Sequence, residues 1–380
     1  MVKSLYIHIP FCDQICSYCD FPKVFSAGQD TDAYLDALIT ELTIYEKTFG
    51  FADLKTVYIG GGTPTILKTC QLDRLFVYLH SVIDFHHLKE VSIEANPESL
   101  NDIHKIARLK AQGVTRVSLG VQTFQENHLR LLQRSHCQKD TQEVVHLLAE
   151  QGFEINLDMI YSIPSQTLQD WENDLDLLLK LPITHVSAYS LILEEHTKFY
   201  IDYMKDQLEL VPNEVEAQMF ELAIEKLTRA GFEHYEISNF TRDRRSGHNV
   251  TYWENDYYIG AGLGAHGHIQ SEAGAMRYEN TRSITAYKKA LKINKLPVLN
   301  SHILTKEERI EESMFLGLRL IDGVNLDQLS TQYHQDILVL YRERIDKLLK
   351  LDYISLEASV LKLTKKGLMM ANDVFEEFLL

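Results

Sequence analysis

Three cysteines near the start of the chain have the residue type and spacing best suited to a chemical role. Cys12, Cys16 and Cys19 follow the pattern Cys-x3-Cys-x2-Cys, whereas Cys70 and Cys137 stand alone in the sequence. Thiolates three or four residues apart on one loop can curl around a single inorganic centre. Five cysteines in 380 residues are too few for a disulfide scaffold. The cluster therefore predicts a metal centre in a reducing, cytoplasmic compartment.

The number of thiols bears on which metal centre they hold. A structural zinc site usually has four closed ligands, commonly in two pairs, and no fourth cysteine lies near this loop. Zinc would have to recruit another side chain, such as His8. A four-iron cluster on three thiolates leaves one iron without a protein ligand, and an open iron can bind a small molecule. The spacing favours the iron cluster and leaves zinc as the alternative.

The other candidate site residues depend on the elements that position them. Short β-rich runs alternate with helical segments in the first half of the chain, a pattern typical of a parallel α/β sheet. The candidate strands are residues 5–9, 56–60, 91–95, 116–120, 155–161 and 185–191. Because six units are too few for a closed eight-stranded barrel, we predict an α/β fold with a partial, TIM-like (β/α)6 barrel. The active-site residues of such barrels lie at the carboxyl ends of the strands.

Glycine and polar residues fall at those carboxyl ends. Gly60–Gly62 follow the second strand, and without side chains their backbone can approach a ligand closely. Glu94 and Asp158 each lie within an apolar run, where an unpaired charge would be costly. Gln122 follows the fourth strand. We expect these residues and the three cysteines to share one face of the barrel.

Two of these motifs together resemble the radical S-adenosylmethionine (SAM) superfamily. They are the cysteine spacing with Tyr18 before the third cysteine, and the later run Gly60-Gly61-Gly62-Thr63-Pro64. In that superfamily the three cysteines hold a [4Fe-4S] cluster on a loop after the first strand of a partial barrel. The free iron chelates the amino and carboxylate groups of SAM. The resemblance implies both cofactors here, with the three cysteines as the metal ligands.

Further motifs narrow the resemblance to the group that contains coproporphyrinogen dehydrogenases and HemW haem chaperones. The matching segments are residues 6–12, 60–65, 120–124 and 158–164, and the resemblance covers nearly the whole chain. By motif matching, SAM would be bound by Tyr6, Tyr18, Gly61, Gly62, Thr63, Glu94, Gln122, Arg134 and Asp158. Arg134 has a plainer alternative, since residues 130–136 also fit the end of an exposed helix. The motifs identify no catalytic residue.

Two departures separate the chain from the dehydrogenases, which turn propionate side chains into vinyl groups by radical decarboxylation. Their motif continues Cys-x-Cys after the third ligand, whereas Phe21 stands at that position here. They also carry a long N-terminal extension, whereas Cys12 lies almost at the start of this sequence. Both departures match the HemW branch, so the resemblance implies a haem chaperone. Oxygen-independent coproporphyrinogen III dehydrogenase is the alternative.

A later motif also points to haem. Residues 247–253, GHNVTYW, contain the pattern HNxxYW, which resembles HemW proteins and is missing from the dehydrogenases. It implies a haem site formed by His248, Asn249, Tyr252 and Trp253. A neutral imidazole can ligate iron, and aromatic rings can lie against a macrocycle. The arginines of residues 242–245 could pair with haem propionates.

Plainer roles remain for the same residues. A histidine in a polar loop is usually solvated, a Tyr-Trp pair usually packs, and neighbouring arginines usually form a hydrated patch. His266 and His268 are competing haem ligands. The glycine-rich run 260–265 fits the dinucleotide pattern GxGxxA, but no apolar helical stripe follows it, so we predict a packed loop. We interpret residues 241–275 as functional loops.

Charge and domain organisation limit the partners. Asp plus Glu (54) exceed Lys plus Arg (38), and the net charge of −16 disfavours nucleic acid. We divide the chain into the barrel, residues 1–235, a connecting region with the HNxxYW motif, 236–299, and a small C-terminal, mainly helical, winged-helix-like domain, 300–380. Ten basic against 14 acidic residues in 301–380 do not suit a DNA reader. The resemblance implies haem-accepting proteins as partners, respiratory ones included, with transient membrane association through the acceptor.

Overall fold

The computed structural model describes residues 1–380, and its centre is a row of six parallel strands. They are β1 (Ser4–Ile9), β2 (Thr56–Gly61), β3 (Glu90–Ala95), β4 (Arg116–Gln122), β5 (Glu154–Tyr161) and β6 (His185–Ser190). Strands that are neighbours in this order are also neighbours in the sheet. They are rich in apolar residues because both faces are covered, and β4 is buried at every residue. The predicted partial (β/α)6 barrel is confirmed.

Helices lie between and after these strands. They are α1 (Thr31–Phe49), α2 (Thr69–Val82), α3 (Ile103–Ala111), α4 (Glu126–Leu131), α5 (Gln138–Glu150), α6 (Leu168–Leu178), α7 (Lys198–Tyr203) and α8 (Asn213–Arg229). α1 begins where the Asp30 carboxylate accepts a 2.9 Å hydrogen bond from the Ala33 N–H. α3 and α5 end two residues before Gly113 and Gly152, which adopt φ of +88° and +70°. A glycine in a left-handed conformation just after the last turn commonly ends a helix in this way.

The sheet continues beyond the six parallel strands and contains twelve strands in all. The added strands are β7 (Glu233–Glu236), β8 (Asn239–Thr241), β9 (Tyr258–Ala261), β10 (His266–Ser271), β11 (Gly274–Asn280) and β12 (Val298–Ile303). At one edge β8 pairs antiparallel with β6 and with β7. At the other edge β9 pairs in parallel with β1, and the remaining three strands follow antiparallel. The two edges do not meet, so the barrel is open.

This extension corrects the expected division of the chain. Residues 236–299, expected as a connecting region with functional loops, contribute four whole strands, β8 to β11, and the start of β12 to the main sheet, together with the helices α9 (Gly247–Trp253) and α10 (Ile284–Lys292). Phe240, Ile259 and Tyr278 are buried in the same core as the strands of the barrel. These short edge strands lack the long apolar runs of the central strands, so the sequence pattern does not reveal them.

The glycine-rich run 260–265 joins β9 to β10, and the predicted packed loop is confirmed. Gly262 has a φ of +107° and donates its N–H to the buried Glu41 carboxylate at 2.8 Å. Asn280 Nδ2 donates to the same carboxylate at 2.7 Å and to the Gly262 carbonyl oxygen at 2.9 Å. A Cβ at Gly262 would lie 2.5 Å from the His8 carbonyl oxygen. The glycine is therefore needed for close backbone packing.

The C-terminal residues form a second unit with its own hydrophobic core. Its helices are α11 (Lys306–Gly317), α12 (Leu326–Tyr333), α13 (Ile337–Leu340), α14 (Arg342–Lys350), α15 (Lys365–Met369) and α16 (Ala371–Glu376). Its small sheet contains β13 (Val324–Asn325), β14 (Ile354–Glu357) and β15 (Val360–Leu363), of which the last two form a hairpin.

Residues 334–351 do not form one continuous helix. His334 adopts a left-handed φ of +49° and ends α12. Tyr341, buried in the second core, then separates α13 from α14 with a φ of −106°. None of the helices in the chain combines the length and the apolar composition that a membrane crossing needs.

Candidate cofactor site

A cavity of about 540 Å³ opens at the carboxyl ends of the six parallel strands. Cys12, Cys16 and Cys19 all line this cavity. Eight of the residues predicted to bind SAM line it as well: Tyr18, Gly61, Gly62, Thr63, Glu94, Gln122, Arg134 and Asp158. The structure thus brings together, on one face of the barrel, side chains that lie as far apart in the sequence as Cys12 and Asp158.

The cysteine loop is held by backbone hydrogen bonds at both ends. Phe11–Cys12 forms a two-residue parallel pair with Val24–Phe25, and the Ser26 N–H donates to the Cys12 carbonyl oxygen at 2.9 Å. Burial, together with the neighbouring Cys19 and Cys16 thiols, raises the pKa of Cys12 to about 12. A bound metal would offset the free-energy cost of ionising this buried thiol, since coordination deprotonates a thiol. The Cys12 thiol is therefore expected to ionise when a cation is bound beside it.

Glycines let the loop after β2 lie directly against the cysteine loop. The Gly62 N–H donates to the Ile9 carbonyl oxygen at 2.8 Å. A Cβ at Gly62 would lie 2.7 Å from the Cys12 sulfur and 2.6 Å from the Phe11 carbonyl oxygen. Gly61 has a φ of +122°, which only glycine adopts easily. This loop therefore leaves the space beside the thiol free of side-chain atoms.

Two carboxylates face the cavity, and each is already hydrogen-bonded. Glu94 accepts from the Tyr58 hydroxyl and from the Gly61 N–H, both at 2.9 Å. Asp158 accepts from the Ser118 hydroxyl and from Asn156 Nδ2, both at 2.8 Å. Burial raises the pKa of Glu94 to about 7 and raises that of Asp158. Carboxylates retain further lone pairs, so both can accept hydrogen bonds from ligand hydroxyl or ammonium groups.

Arg134 is turned into the cavity, and the plainer alternative of a solvated arginine on an exposed helix is wrong. The helix α4 ends at Leu131, and the guanidinium then donates to Asn96 Oδ1 at 2.6 Å and to the Gly120 carbonyl oxygen at 2.7 Å. Its Nη1 lies 3.4 Å from the Cys16 sulfur. A fixed cation therefore lies beside the second cysteine of the loop.

Gln122 is buried and lies at an irregularity in β4. The register between β4 and β5 shifts between Gly120 and Gln122, and Gln122 has a left-handed φ of +67°. A positive φ is uncommon for a residue other than glycine and often occurs where a side chain is re-aimed at a functional site. The bulge places Gln122 among the residues that line the cavity.

The sequence motifs do not identify part of the cavity wall. The additional residues that line it include Lys23, Tyr58, Asn96, Ser118, Gly120, Tyr189, Ser190, Ile192 and Glu194. Ser118, Gly120 and Gln122 alternate along β4, and alternate residues of a barrel strand face the interior. Polar or small residues at every second position of an otherwise apolar strand are therefore the signal that identifies this wall.

His8 bears on the zinc alternative. Its Nδ1 is 2.9 Å from the Tyr6 hydroxyl and its Nε2 is 2.7 Å from the Pro22 carbonyl oxygen, so both ring nitrogens are engaged. Burial lowers the pKa of His8 to about 4, which keeps the ring neutral. His8 therefore anchors the cysteine loop and does not offer a fourth ligand. Tyr6, predicted to bind SAM, is absent from the cavity wall and contacts His8 behind it.

The HNxxYW motif forms a helix, α9, at the opposite end of the barrel. Ser246 caps this helix, and the Gly247 N–H donates to Glu90, the first residue of β3, at 2.7 Å. His248 is 1% exposed, and its ring contacts Thr56, the first residue of β2. Since the cavity lies at the last residues of these strands, α9 closes the floor of the barrel. The expectation of a solvated loop is corrected by this packing.

The remaining residues of the expected haem site are also engaged within the protein. The Tyr252 hydroxyl lies 2.7 Å from His248 Nε2, and the Arg319 guanidinium lies 4.3 Å from the centre of the Trp253 ring. Asn249 contributes its backbone N–H to the Ser246 cap. Of the competing ligands, His268 is 2% exposed, whereas His266 is exposed and 3.7 Å from Glu279.

The three arginines near the motif have protein partners as well. Arg242 stacks over the Phe232 ring at 4.2 Å and donates to a backbone carbonyl oxygen. Arg244 pairs with Glu154. Arg245 pairs with both Glu233 and Asp322. Arg244 and Arg245, expected to pair with haem propionates or to form a hydrated patch, are thus ion-paired with carboxylates of neighbouring elements, whereas Arg242 packs against an aromatic ring.

Comparisons with known proteins match both the barrel and the C-terminal unit. A family model of the radical SAM superfamily matches residues 6–178, and one of the HemN C-terminal domain matches residues 304–370. The protein called heme chaperone HemW from Lactococcus lactis is 39% identical over 380 residues, covering all of this chain and 97% of that protein. The protein of the same name from Bacillus subtilis is 41% identical over 381 residues and is covered to 99%.

A solved structure shares the fold over the whole chain. The coproporphyrinogen III oxidase HemN from Escherichia coli superposes with a TM-score of 0.85 at 22% sequence identity. The match covers 100% of this chain and 90% of that one. It shows that the open barrel and the C-terminal unit occur together in both proteins.

Proposed function

The chain belongs to the family of the heme chaperone HemW, a branch of the radical SAM superfamily, and on that premise we propose that it binds haem and transfers it to acceptor haemoproteins. The observation that carries the proposal is identity of 39% and 41% over the full chain to two proteins of that name. Acceptor haemoproteins, respiratory ones included, are the proposed partners. Any contact with a membrane would be transient and made through the acceptor.

The proposal includes a [4Fe-4S] cluster held by Cys12, Cys16 and Cys19. Three thiols line one cavity, and His8, in the strand before the cysteine loop, is committed to other hydrogen bonds. Such a donor set suits a cluster with one open iron better than a closed zinc site. When bound, the cluster can supply an electron to a ligand on its open iron. The glycine loop leaves room beside the thiols, and the Arg134 guanidinium lies beside Cys16.

The same cavity is the proposed site of SAM. The backbone of Gly61 and Gly62 can approach the ligand because it carries no side chain. Glu94 and Asp158 are placed to accept hydrogen bonds from the ligand's ammonium or ribose hydroxyl groups. Arg134, half-buried beside Cys16, can offset a carboxylate. Tyr18, Thr63 and Gln122 complete the wall.

Oxidation of a porphyrinogen is the less favoured function. Phe21 lines the cavity and is 67% exposed, at the position where the dehydrogenase motif has a further cysteine. Because an apolar ring cannot replace a thiol in proton or electron transfer, we expect no dehydrogenase turnover. Haem ligation by His248, which the motif predicts, would require the contact between His248 Nε2 and the Tyr252 hydroxyl to open, so the proposed haem binding does not depend on that residue.

The test compares binding with turnover in one preparation. Protein reconstituted without oxygen is titrated with haem, followed by its Soret absorbance, and is then mixed with a haem-free acceptor haemoprotein. A separate sample receives SAM, a reductant and coproporphyrinogen. Haem binding near one equivalent, transfer to the acceptor and no vinyl product support the proposal. Vinyl product without haem binding would establish the dehydrogenase instead.

A further inference from the structure

The HNxxYW helix and the cofactor cavity occupy opposite ends of the same strands, and one chain of contacts joins them. Thr56 begins β2 and contacts His248, whereas Gly61 ends β2 and lines the cavity. Tyr58 lies between these two positions. Residues along β2 therefore connect α9, the floor helix that closes the lower end of the barrel, to the cavity.

The hydrogen bonds of the floor fix the orientation of the His248 ring. The Thr56 hydroxyl donates to Ser4 at 2.7 Å, Ser4 donates to Thr251 at 2.8 Å, and Thr251 donates to the Gly247 carbonyl oxygen at 3.0 Å. Because the Thr56 proton is used in this chain, the 2.8 Å contact between Thr56 Oγ1 and His248 Nδ1 needs the proton on Nδ1.

The same tautomer leaves His248 Nε2 as an acceptor. The Tyr252 hydroxyl, 2.7 Å away, is placed to donate to it. Both nitrogens of this buried ring are thus satisfied by the protein, and no lone pair faces a ligand. In this arrangement His248 has the surroundings of a residue that holds its neighbours in place.

The neighbour that His248 holds is Tyr58. The two rings stack with centres 5.0 Å apart and an angle of 28° between their planes. The Tyr58 hydroxyl donates to Glu94 Oε1 at 2.9 Å, and the other Glu94 oxygen accepts from the Gly61 N–H at 2.9 Å. A shift of the His248 ring would therefore move Tyr58 and release one of the two hydrogen bonds that orient Glu94.

A second branch leads from the same rings to the cysteine loop. Tyr6 stacks on Tyr58 with centres 6.1 Å apart, and its hydroxyl lies 2.9 Å from His8 Nδ1. His8 in turn contacts the Pro22 carbonyl oxygen at 2.7 Å. Pro22 lies three residues after Cys19. The floor helix thus supports both Glu94 and the loop that carries the thiols.

We propose that His248 is a positioning residue for the cofactor cavity, which orients Glu94 through Tyr58, and that it is not the axial ligand of haem. This inference rests on the proposed binding of SAM in the cavity. It assigns the HNxxYW motif to the floor of the barrel, where His248 acts on a ligand at the other end of the strands. Haem ligation then belongs to another residue.

The test measures the affinities for SAM and for haem separately in the reconstituted full chain. His248→Ala removes the ring, whereas His248→Phe keeps a flat ring against Tyr58 and cannot bind iron. We expect His248→Ala to weaken SAM binding about tenfold, the cost of losing one oriented hydrogen bond. We expect His248→Phe to bind SAM within about threefold of wild type. Both variants should bind haem as wild type does.

A double-mutant cycle separates positioning from general damage. In a Glu94→Gln background, His248→Ala should lower the affinity for SAM by less than about twofold, because the residue through which it acts is already changed. An equal loss with and without Glu94 would overturn the inference. So would loss of haem from both His248 variants with unchanged affinity for SAM, since that result identifies an axial ligand.

A milder variant covers the case in which His248→Ala does not fold. Tyr58→Phe removes only the hydroxyl that Glu94 accepts, and we expect about a fivefold loss of SAM affinity with haem binding unchanged. Wild-type affinity for SAM in Tyr58→Phe would contradict the positioning role and leave the proposed function intact. Wild-type protein that binds no SAM would overturn the cofactor site and this inference together.

Discussion

The Tyr58 hydroxyl donates a 2.9 Å hydrogen bond to Glu94, and the ring of Tyr58 stacks on His248 at the other end of the barrel. This relationship joins a carboxylate of the cofactor cavity to the motif helix that closes the floor. It also explains why a carboxylate is tolerated next to the last residue of the buried strand Glu90–Ala95. The carboxylate is held by two donors and faces a cavity.

The protonation of Glu94 predicts a pH dependence of ligand binding. Burial raises the pKa of Glu94 to about 7, with a further contribution from the nearby Asp158. The ionised form accepts hydrogen bonds from SAM, so its affinity should rise as the pH increases from 6 to 8. Calorimetric titration at several pH values measures this change. Glu94→Gln should bind more weakly and show no rise over that range.

The ionisation of Glu94 also predicts that the stability of the folded chain falls as the pH rises, whereas the affinity for the ligand rises. The pKa of Glu94 is higher in the folded than in the unfolded chain, so its contribution to stability is greatest below the unfolded value and is lost as the pH rises through 7. Glu94→Gln cannot ionise and should therefore gain stability relative to wild type between pH 6 and pH 8. Urea unfolding without ligand checks this, and a difference that stays constant with pH would contradict it.

Gly62→Ala tests the close approach of the two loops at the thiols. The added Cβ would lie 2.7 Å from the Cys12 sulfur and 2.6 Å from a backbone oxygen, distances that force one loop to move. We expect at least half of the iron to be lost on reconstitution. Gly247→Ala is the matched control, because its Cβ would make only ordinary contacts at 3.5 Å. Full iron content in Gly62→Ala would show that the loops do not need this proximity.

The contacts of Arg319 predict how the C-terminal unit is attached to the barrel. Its guanidinium lies over the Trp253 ring at 4.3 Å and 3.8 Å from the carboxylate of Glu236, which is fully buried. Arg319→Ala leaves that carboxylate without its cation and should cost about 2 kcal/mol of unfolding free energy. Urea denaturation measures the loss. Adding Glu236→Gln should restore part of it, and no recovery would show that the ion pair is not the cause.

The sequence predicts the central strands and the cavity because their signals are local. A continuous apolar run identifies a strand such as Arg116–Gln122, and the carboxyl ends of parallel strands must share one face. The edge strands and the place of α9 depend on contacts between distant residues, such as His248 with Thr56. No spacing in the sequence encodes that contact, so a buried histidine resembles a solvated one.

The same limit applies to charge. The sequence does not reveal ion-pair partners for Arg244 and Arg245. Only the fold shows that they pair with carboxylates, those of Glu154, Glu233 and Asp322. Tyr6 belongs to one of the matching motifs but does not line the cavity. Its hydroxyl instead contacts His8. A motif therefore identifies the neighbourhood of a site more reliably than it identifies which side chain faces the ligand.

The metal and sulfide content of protein purified without oxygen tests the central claim most directly. If Cys12, Cys16 and Cys19 hold a four-iron cluster, the reconstituted chain should contain close to four iron and four sulfide per molecule, as a [4Fe-4S] cluster requires. Cys16→Ala should lose both, and Cys70→Ala, an exposed cysteine remote from the cavity wall, should keep both. Stoichiometric zinc with no sulfide, or full iron in Cys16→Ala, would contradict the account.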